Sequence, residues 1–242
     1  MLLKIVQAGD PVLRQMARRL TPDEIRSDGI QAFIGLMRET MQDAPGVGLA
    51  APQVGESIQI VVVEDRAELQ TRLTTQQLAE RERQPLDFHV LINPELSIED
   101  ATPVTFFEGC LSVAELHSLV PRAHTVRVRA LNERAEPVEI VAAGWYARIL
   151  QHEIDHLHGV LCIDHMQSRS LTTVRNFDRH WAGKSTVEIQ QILGIRPTGT
   201  VASAARSILQ RLLADLPDEA AVPVRDVRQA WQEISQQLEE GQ

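Results

Sequence analysis

Gln151-His152-Glu153-Ile154-Asp155-His156 places two histidines four positions apart, with a glutamate directly after the first. On an α-helix that spacing stacks both imidazoles on one face, one turn apart, where they can reach a single metal ion. Glu153 then stands beside the ion as a proton carrier. The neighbouring residues fix the element: Gly144 to His158 reads as a helix closed by Gly159 at the C′ position. Trp145, Ile149, His152 and His156 share one stripe, and Leu150, Ile154 and Leu157 make other faces apolar as well. A helix that is apolar nearly all round is a buried one. The imidazoles therefore face an enclosed site, where charges interact strongly.

Upstream of this helix the chain reads mainly as strands. Ile58 to Val63 is an apolar, β-branched run broken only at Gln59, the pattern of a buried strand. His89 to Ile92 is a short strand that Asn93-Pro94 stops, and Val104 to Glu108 is another. Thr125 to Leu131 alternates Val126, Val128 and Ala130 with Arg127 and Arg129, as a half-buried strand does. Pro137 to Val141 pairs with it through the turn at Asn132-Glu133-Arg134. Helices flank these strands. Thr21-Pro22-Asp23-Glu24 is a capping box, and Ile30, Ile34, Met37 and Met41 recur at helical spacing. The polar stretch from Glu64 to Pro85 reads as an insertion without chemistry, with a short helix capped near Thr74. The expected fold is α+β: mixed or antiparallel sheets around a central buried helix, with a C-terminal helical extension.

Bulk properties narrow the function. The chain has 242 residues, which suits one domain plus an appendage at about 150 residues per domain. A net charge of −9 disfavours a nucleic-acid-binding surface, so no DNA partner is expected. No apolar run approaches the roughly 20 residues that span a bilayer, so no membrane association is expected. Two cysteines make no disulfide framework, and the start shows no signal-peptide core. The expected location is the cytoplasm.

Two imidazoles need a third protein ligand, and the residues offer several. His152 to Cys162 matches the H-E-x-x-H-x-x-G-x-x-H pattern of metzincin peptidases, except that Cys162 takes the last histidine's place. Glu188 on a later helix is a further candidate. The third is Cys110, in Glu108-Gly109-Cys110-Leu111-Ser112.

A resemblance bears on that choice. The chain resembles the peptide deformylases in three motifs: Gly46-Val47-Gly48-Leu49-Ala50-Ala51-Pro52-Gln53, Glu108 to Ser112, and Gln151 to Leu157. They occur in the family's order, and the likeness runs from about Met1 to Gly194. It implies that Cys110, His152 and His156 bind one divalent ion, Fe²⁺ in the cell, with Zn²⁺, Ni²⁺ or Co²⁺ as other occupants. It implies Glu153 as proton carrier, and the Gln53 side chain and Leu111 N–H as oxyanion donors. Val47, Gly48, Leu49, Glu108 and Gly109 would hold the substrate, an N-formylmethionyl nascent peptide whose formyl group is hydrolysed. Transient proximity to the ribosome follows from such a substrate. Glu108 is also expected to pair with Arg122. The chain departs from the family's usual pattern at Ala114 and His117, where proline and a peptide-gripping arginine often stand; His117 reads as an exposed loop residue.

The likeness places a catalytic domain over residues 1–195 and leaves 196–242 as a helical extension. In that extension Ile208, Leu209, Leu212 and Leu213 mark one amphipathic helix, and Val227, Trp231, Ile234 and Leu238 another. They are expected to pack on the domain or on a dimer mate.

Overall fold

The computed structural model describes residues 2–71 and 73–195, and the two helices expected beyond Pro197 lie outside them. The described residues form an antiparallel sheet with a helix layer on each face. The strands are β1 (Gly48–Ala50), β2 (Ile60–Asp65), β3 (Leu86–Cys110), β4 (Val113–Leu131), β5 (Pro137–Ala143) and β6 (Thr172–Thr173). The first five are ordered β1-β2-β3-β4-β5, with β6 paired to β4. Every strand pairing is antiparallel. The helices are α1 (Pro22–Arg26), α2 (Asp28–Asp43), α3 (Ala67–Gln70), α4 (Thr75–Arg81), α5 (Gly144–Leu157), α6 (Val174–His180) and α7 (Thr186–Leu193). Among the described residues no helix is long and apolar enough to cross a membrane.

The unbroken apolar run Ile60–Val63 of β2 is explained by burial on both faces. Val61 and Val63 point to one core, with Leu91, Val126, Val128 and the α5 residues Ala147, Ile149, Leu150, Ile154 and Leu157. Ile60 and Val62 point to the other, with Val90, Ile92 and the α2 residues Ile34, Met37 and Met41. The period-two alternation of a strand divides its side chains between these two layers. Capping boxes form at Thr21, Thr74 and Ser185, each with its hydroxyl accepting from the N3 backbone N–H.

Two expectations need correction. The strand from His89 does not stop at Asn93-Pro94; β3 runs on to Cys110 with a register shift between Ile92 and Glu95. Asn93 takes φ 52° there, a left-handed conformation that asparagine tolerates. Its amide satisfies both backbone groups of Leu20, accepting from N at 2.9 Å and donating to O at 2.8 Å. The bulge is thus fastened to the N-terminal segment rather than ending the strand. The Glu64–Pro85 stretch is also less detached than its polarity suggests. Arg83 makes a bidentate pair with fully buried Asp65, at 2.7 and 2.9 Å, and stacks on Trp145 of α5.

Candidate active site

β3 and β4 form one long hairpin whose turn, at Leu111-Ser112, directly follows Cys110. α5 packs against the same sheet and brings Arg148, His152 and Glu153 to the side of this turn. The result is a groove of about 340 Å³ whose lining includes Gly48, Gln53, Cys110, Leu111, His152 and Glu153.

Cys110, His152 and His156 each offer a donor atom here, and the three atoms lie within 4.8 Å of one another. Cys110 Sγ is 3.3 Å from His156 Nε2, and the imidazole centroids are 5.1 Å apart. A thiol and two imidazoles make a donor set suited to a borderline divalent cation. Burial and, after it, the neighbouring His152 lower the pKa of His156 well below the usual histidine value, which favours its neutral ring. Hydrogen bonding with Cys162 and burial both push the Cys110 thiol up, so cation binding there releases a proton. His156 Nδ1 and Glu153 Oε2 are buried with no hydrogen-bond partner among the described residues.

Cys162 is close by but differently placed. It is buried at the start of a 3-10 turn (Cys162–Asp164), and its donor atom falls within 4.8 Å of those of Glu108 and His152. That second grouping lacks a free carboxylate. Glu108 Oε1 accepts from Arg122 Nε at 3.1 Å and Arg148 Nη1 at 2.6 Å; Oε2 accepts from Arg122 Nη2 at 3.1 Å and lies 2.9 Å from His152 Nδ1. Burial opposes the Glu108 charge, but Arg122, His152 and Arg148 outweigh it and hold the carboxyl well below the usual range. Burial likewise opposes a charged His152, yet Glu108 raises that ring's pKa to about 9. A carboxylate at Nδ1 leaves Nε2 available to a metal ion, the usual arrangement behind a metal-binding histidine.

Glu153 is 4% exposed, and burial pushes its carboxyl up to about 7 against the pull of His152 and Arg122. Its carboxylate packs on the backbone of Gly48 in β1. Gln53, in a 3-10 turn (Ala51–Val54), is buried rather than exposed. Its Oε1 accepts from Ala50 N at 2.9 Å, which aims Nε2 at Cys110 Sγ (3.5 Å) and Ser112 Oγ (3.4 Å). The Ser112 contact is long for an N–H···O bond, so this amide keeps donor capacity.

Other expected residues fall less uniformly. Val47 and Gly109 line the groove, as does Glu108, though its carboxylate is committed to the arginines and His152. Leu49 does not: its side chain is fully buried in the α2 layer, because alternation along β1 turns Gly48 and Leu49 to opposite faces. His117 is not a loop residue but part of β4, in edge contact with Phe177 of α6 at 5.0 Å, and burial lowers its pKa. Glu188 caps α7, with its carboxylate on Ser185, away from the histidines. Arg148 was not anticipated, although its place one turn before His152 on an apolar helix was a signal.

The family model described as "Polypeptide deformylase" matches residues 2–171. "Peptide deformylase 1" of Streptomyces coelicolor is 40% identical over 200 residues, which is 83% of this chain and 89% of that protein. "Peptide deformylase 1A, chloroplastic/mitochondrial" of Arabidopsis thaliana is 44% identical over 175 residues, 72% of this chain but 65% of the plant protein, slightly under two thirds of its length. Among solved structures, the Met-Ala-Ser-bound class I type b peptide deformylase of Acinetobacter baumannii superposes with a TM-score of 0.61 at 31% identity. It covers 69% of this chain and 99% of the other. With the family model spanning most of its length and the cysteine and paired histidines meeting at one groove, this chain belongs to the polypeptide deformylase family.

Proposed function

We propose that this chain is a metal-dependent hydrolase that removes the formyl group from the N-terminal methionine of new polypeptides, releasing formate. The observation that carries this reading is the convergence of Cys110, His152 and His156 within 4.8 Å, with Glu153 buried beside them. A divalent cation held by these three residues supplies Lewis-acid chemistry, polarising water and the formyl carbonyl. The donor set suits Fe²⁺, Zn²⁺, Ni²⁺ or Co²⁺, and we assign Fe²⁺ as the resident ion on the family resemblance.

The chain's own groups do the rest. Glu153 takes a proton from the attacking water and returns it to the amine as the C–N bond breaks, a transfer suited to a carboxyl titrating near neutrality. Gln53 Nε2–H and Leu111 N–H donate to the oxyanion of the tetrahedral intermediate, each contributing on the order of 3 kcal/mol. Among the described residues β1 ends the sheet, paired only with β2, so its outer edge at Gly46–Gly48 can accept the peptide as an added strand. Such binding reads main chain, which suits an enzyme acting on many different new proteins. The substrate places the enzyme near ribosomes, and we assign it to the cytoplasm. Residues 1–195 would form the catalytic unit.

Anaerobic assay of the iron-loaded chain on formyl-Met-Ala-Ser tests this reading. Formate release, with no cleavage of an unformylated peptide, is the expected result; internal cleavage would instead favour an endopeptidase.

A further inference from the structure

Arg148 is a buried cation that the proposed chemistry does not use. It is 3% exposed, and its guanidinium makes three contacts that join three elements. Nη1 donates to Glu108 Oε1 at 2.6 Å and to Val120 O of β4 at 2.8 Å; Nη2 donates to Val104 O of β3. The face of the guanidinium lies over Phe106 and Trp145, with centroids at 5.3 and 5.8 Å. Arg148 stands one helical turn before His152, so both side chains leave α5 on the same face.

We propose that Arg148 is a positioning residue for the metal centre: it locks α5 onto the β3–β4 hairpin and fixes Glu108 behind His152. The proposal rests on the metal-site reading given above. Three arguments support it. The donors come from separate elements, Cys110 from β3 and both imidazoles from α5, so their spacing depends on how α5 docks against the hairpin. Arg148 is the side chain on α5 that reaches backbone carbonyls of both hairpin strands and the Glu108 carboxylate together. Secondly, Arg122 does not make it redundant. Arg122 grips Glu108 from within the hairpin and turns its remaining nitrogen to Asp155, later on α5. Gln151, in the turn before His152, bonds Ala123 of β4 beyond its own helix, so neither ties that turn to β3 or links it to Glu108 as Arg148 does. Thirdly, a fixed positive charge one turn from a cation site is electrostatically adverse. Its benefit must therefore act through Glu108, whose carboxylate stands between Arg148 and the ring it orients.

The test is Zn²⁺ affinity of the full-length chain, measured by competition with a chromogenic chelator well below the melting temperature. Arg148→Met keeps the stem and its packing but removes the fork. It should weaken Zn²⁺ binding by roughly 10- to 100-fold, the usual loss when a group supporting a metal-ligating histidine is removed. Arg148→Lys keeps the charge yet cannot reach carboxylate and carbonyls in one plane, so it should fall between the two. A purely structural arginine would lower the melting temperature and leave Zn²⁺ affinity unchanged. Wild-type affinity in both variants overturns the proposal; if the methionine variant does not fold, the lysine variant decides alone. Because the readout is metal binding, failure of the wild type to release formate would sink the deformylase reading without deciding this one.

Discussion

The carboxylate of Glu153 rests directly on the α-carbon of Gly48: a β-carbon built at position 48 would come within 2.6 Å of Glu153 Cγ. A strand residue and a helix residue are thus fitted at van der Waals distance, and only glycine leaves the room. Gly48→Ala should push the carboxylate out of line with the reacting water while leaving the three donor residues in place. Steady-state kinetics should show kcat falling by about 100-fold or more, the usual range for loss of a general base. Metal content by elemental analysis should match wild type. A variant of normal activity would refute the close fit.

The two cysteines should separate cleanly. Cys110→Ala removes the only sulfur grouped with both imidazoles, and purified protein should carry little metal. Cys162→Ser should retain the metal, because Glu108, its other neighbour, is already saturated by Arg122 and Arg148. Metal-to-protein ratios after identical loading decide the matter, and the reverse outcome would revive the metzincin-like ligand set.

Glu108→Gln would leave two buried guanidiniums facing a neutral amide. Breaking one partner of a buried ion pair costs about 3–5 kcal/mol, so a large drop in thermal stability is expected. Metal affinity should fall as well, because the amide is a weaker acceptor for His152 Nδ1–H. Unchanged melting and metal content would dismiss the network as incidental.

Asp164 predicts a pH effect away from the metal site. Arg14 bonds both of its oxygens, one at 3.1 Å, and with the N–H of Leu161 holds its carboxyl below the ordinary aspartate value. The folded-state pKa is depressed, so this stabilisation is complete above the unfolded value of about 3.9. It disappears as pH falls through the lower folded value. Both side chains are more than a third exposed, so the pair contributes at most about 1 kcal/mol. Asp164→Asn should melt slightly below wild type at neutral pH and match it in strong acid. An equal difference at both pH values would mean the carboxylate is not responsible.

Much of this arrangement was legible because local pattern and tertiary role agree. The apolar periodicity around His152 and His156 requires a buried helix, and Ile58 to Val63 could be read as a buried strand without knowing its partners, though the strand itself begins at Ile60. The Thr21 and Thr74 caps are local by nature. What could not be read depends on contacts distant in sequence. Asn93-Pro94 looks like a strand terminus until Leu20 is known to sit against it. Arg148 looks like a solvated helix residue until the hairpin supplies Glu108 and two carbonyls. His117 reads as a surface histidine until Phe177 arrives from α6. Leu49 belongs to the glycine-rich motif, but the pleat turns its side chain inward.

The thiol sits at a hairpin tip and both imidazoles on a helix, 46 positions apart for Cys110 and His156. Any ion they share therefore acts as a staple between chain segments that an unfolded polypeptide would let drift apart. Loading and folding then draw on the same free energy: at a hundredfold excess over the dissociation constant, the ion would add about 2.7 kcal/mol to the native state. Chelation would strip away mechanical security together with chemistry.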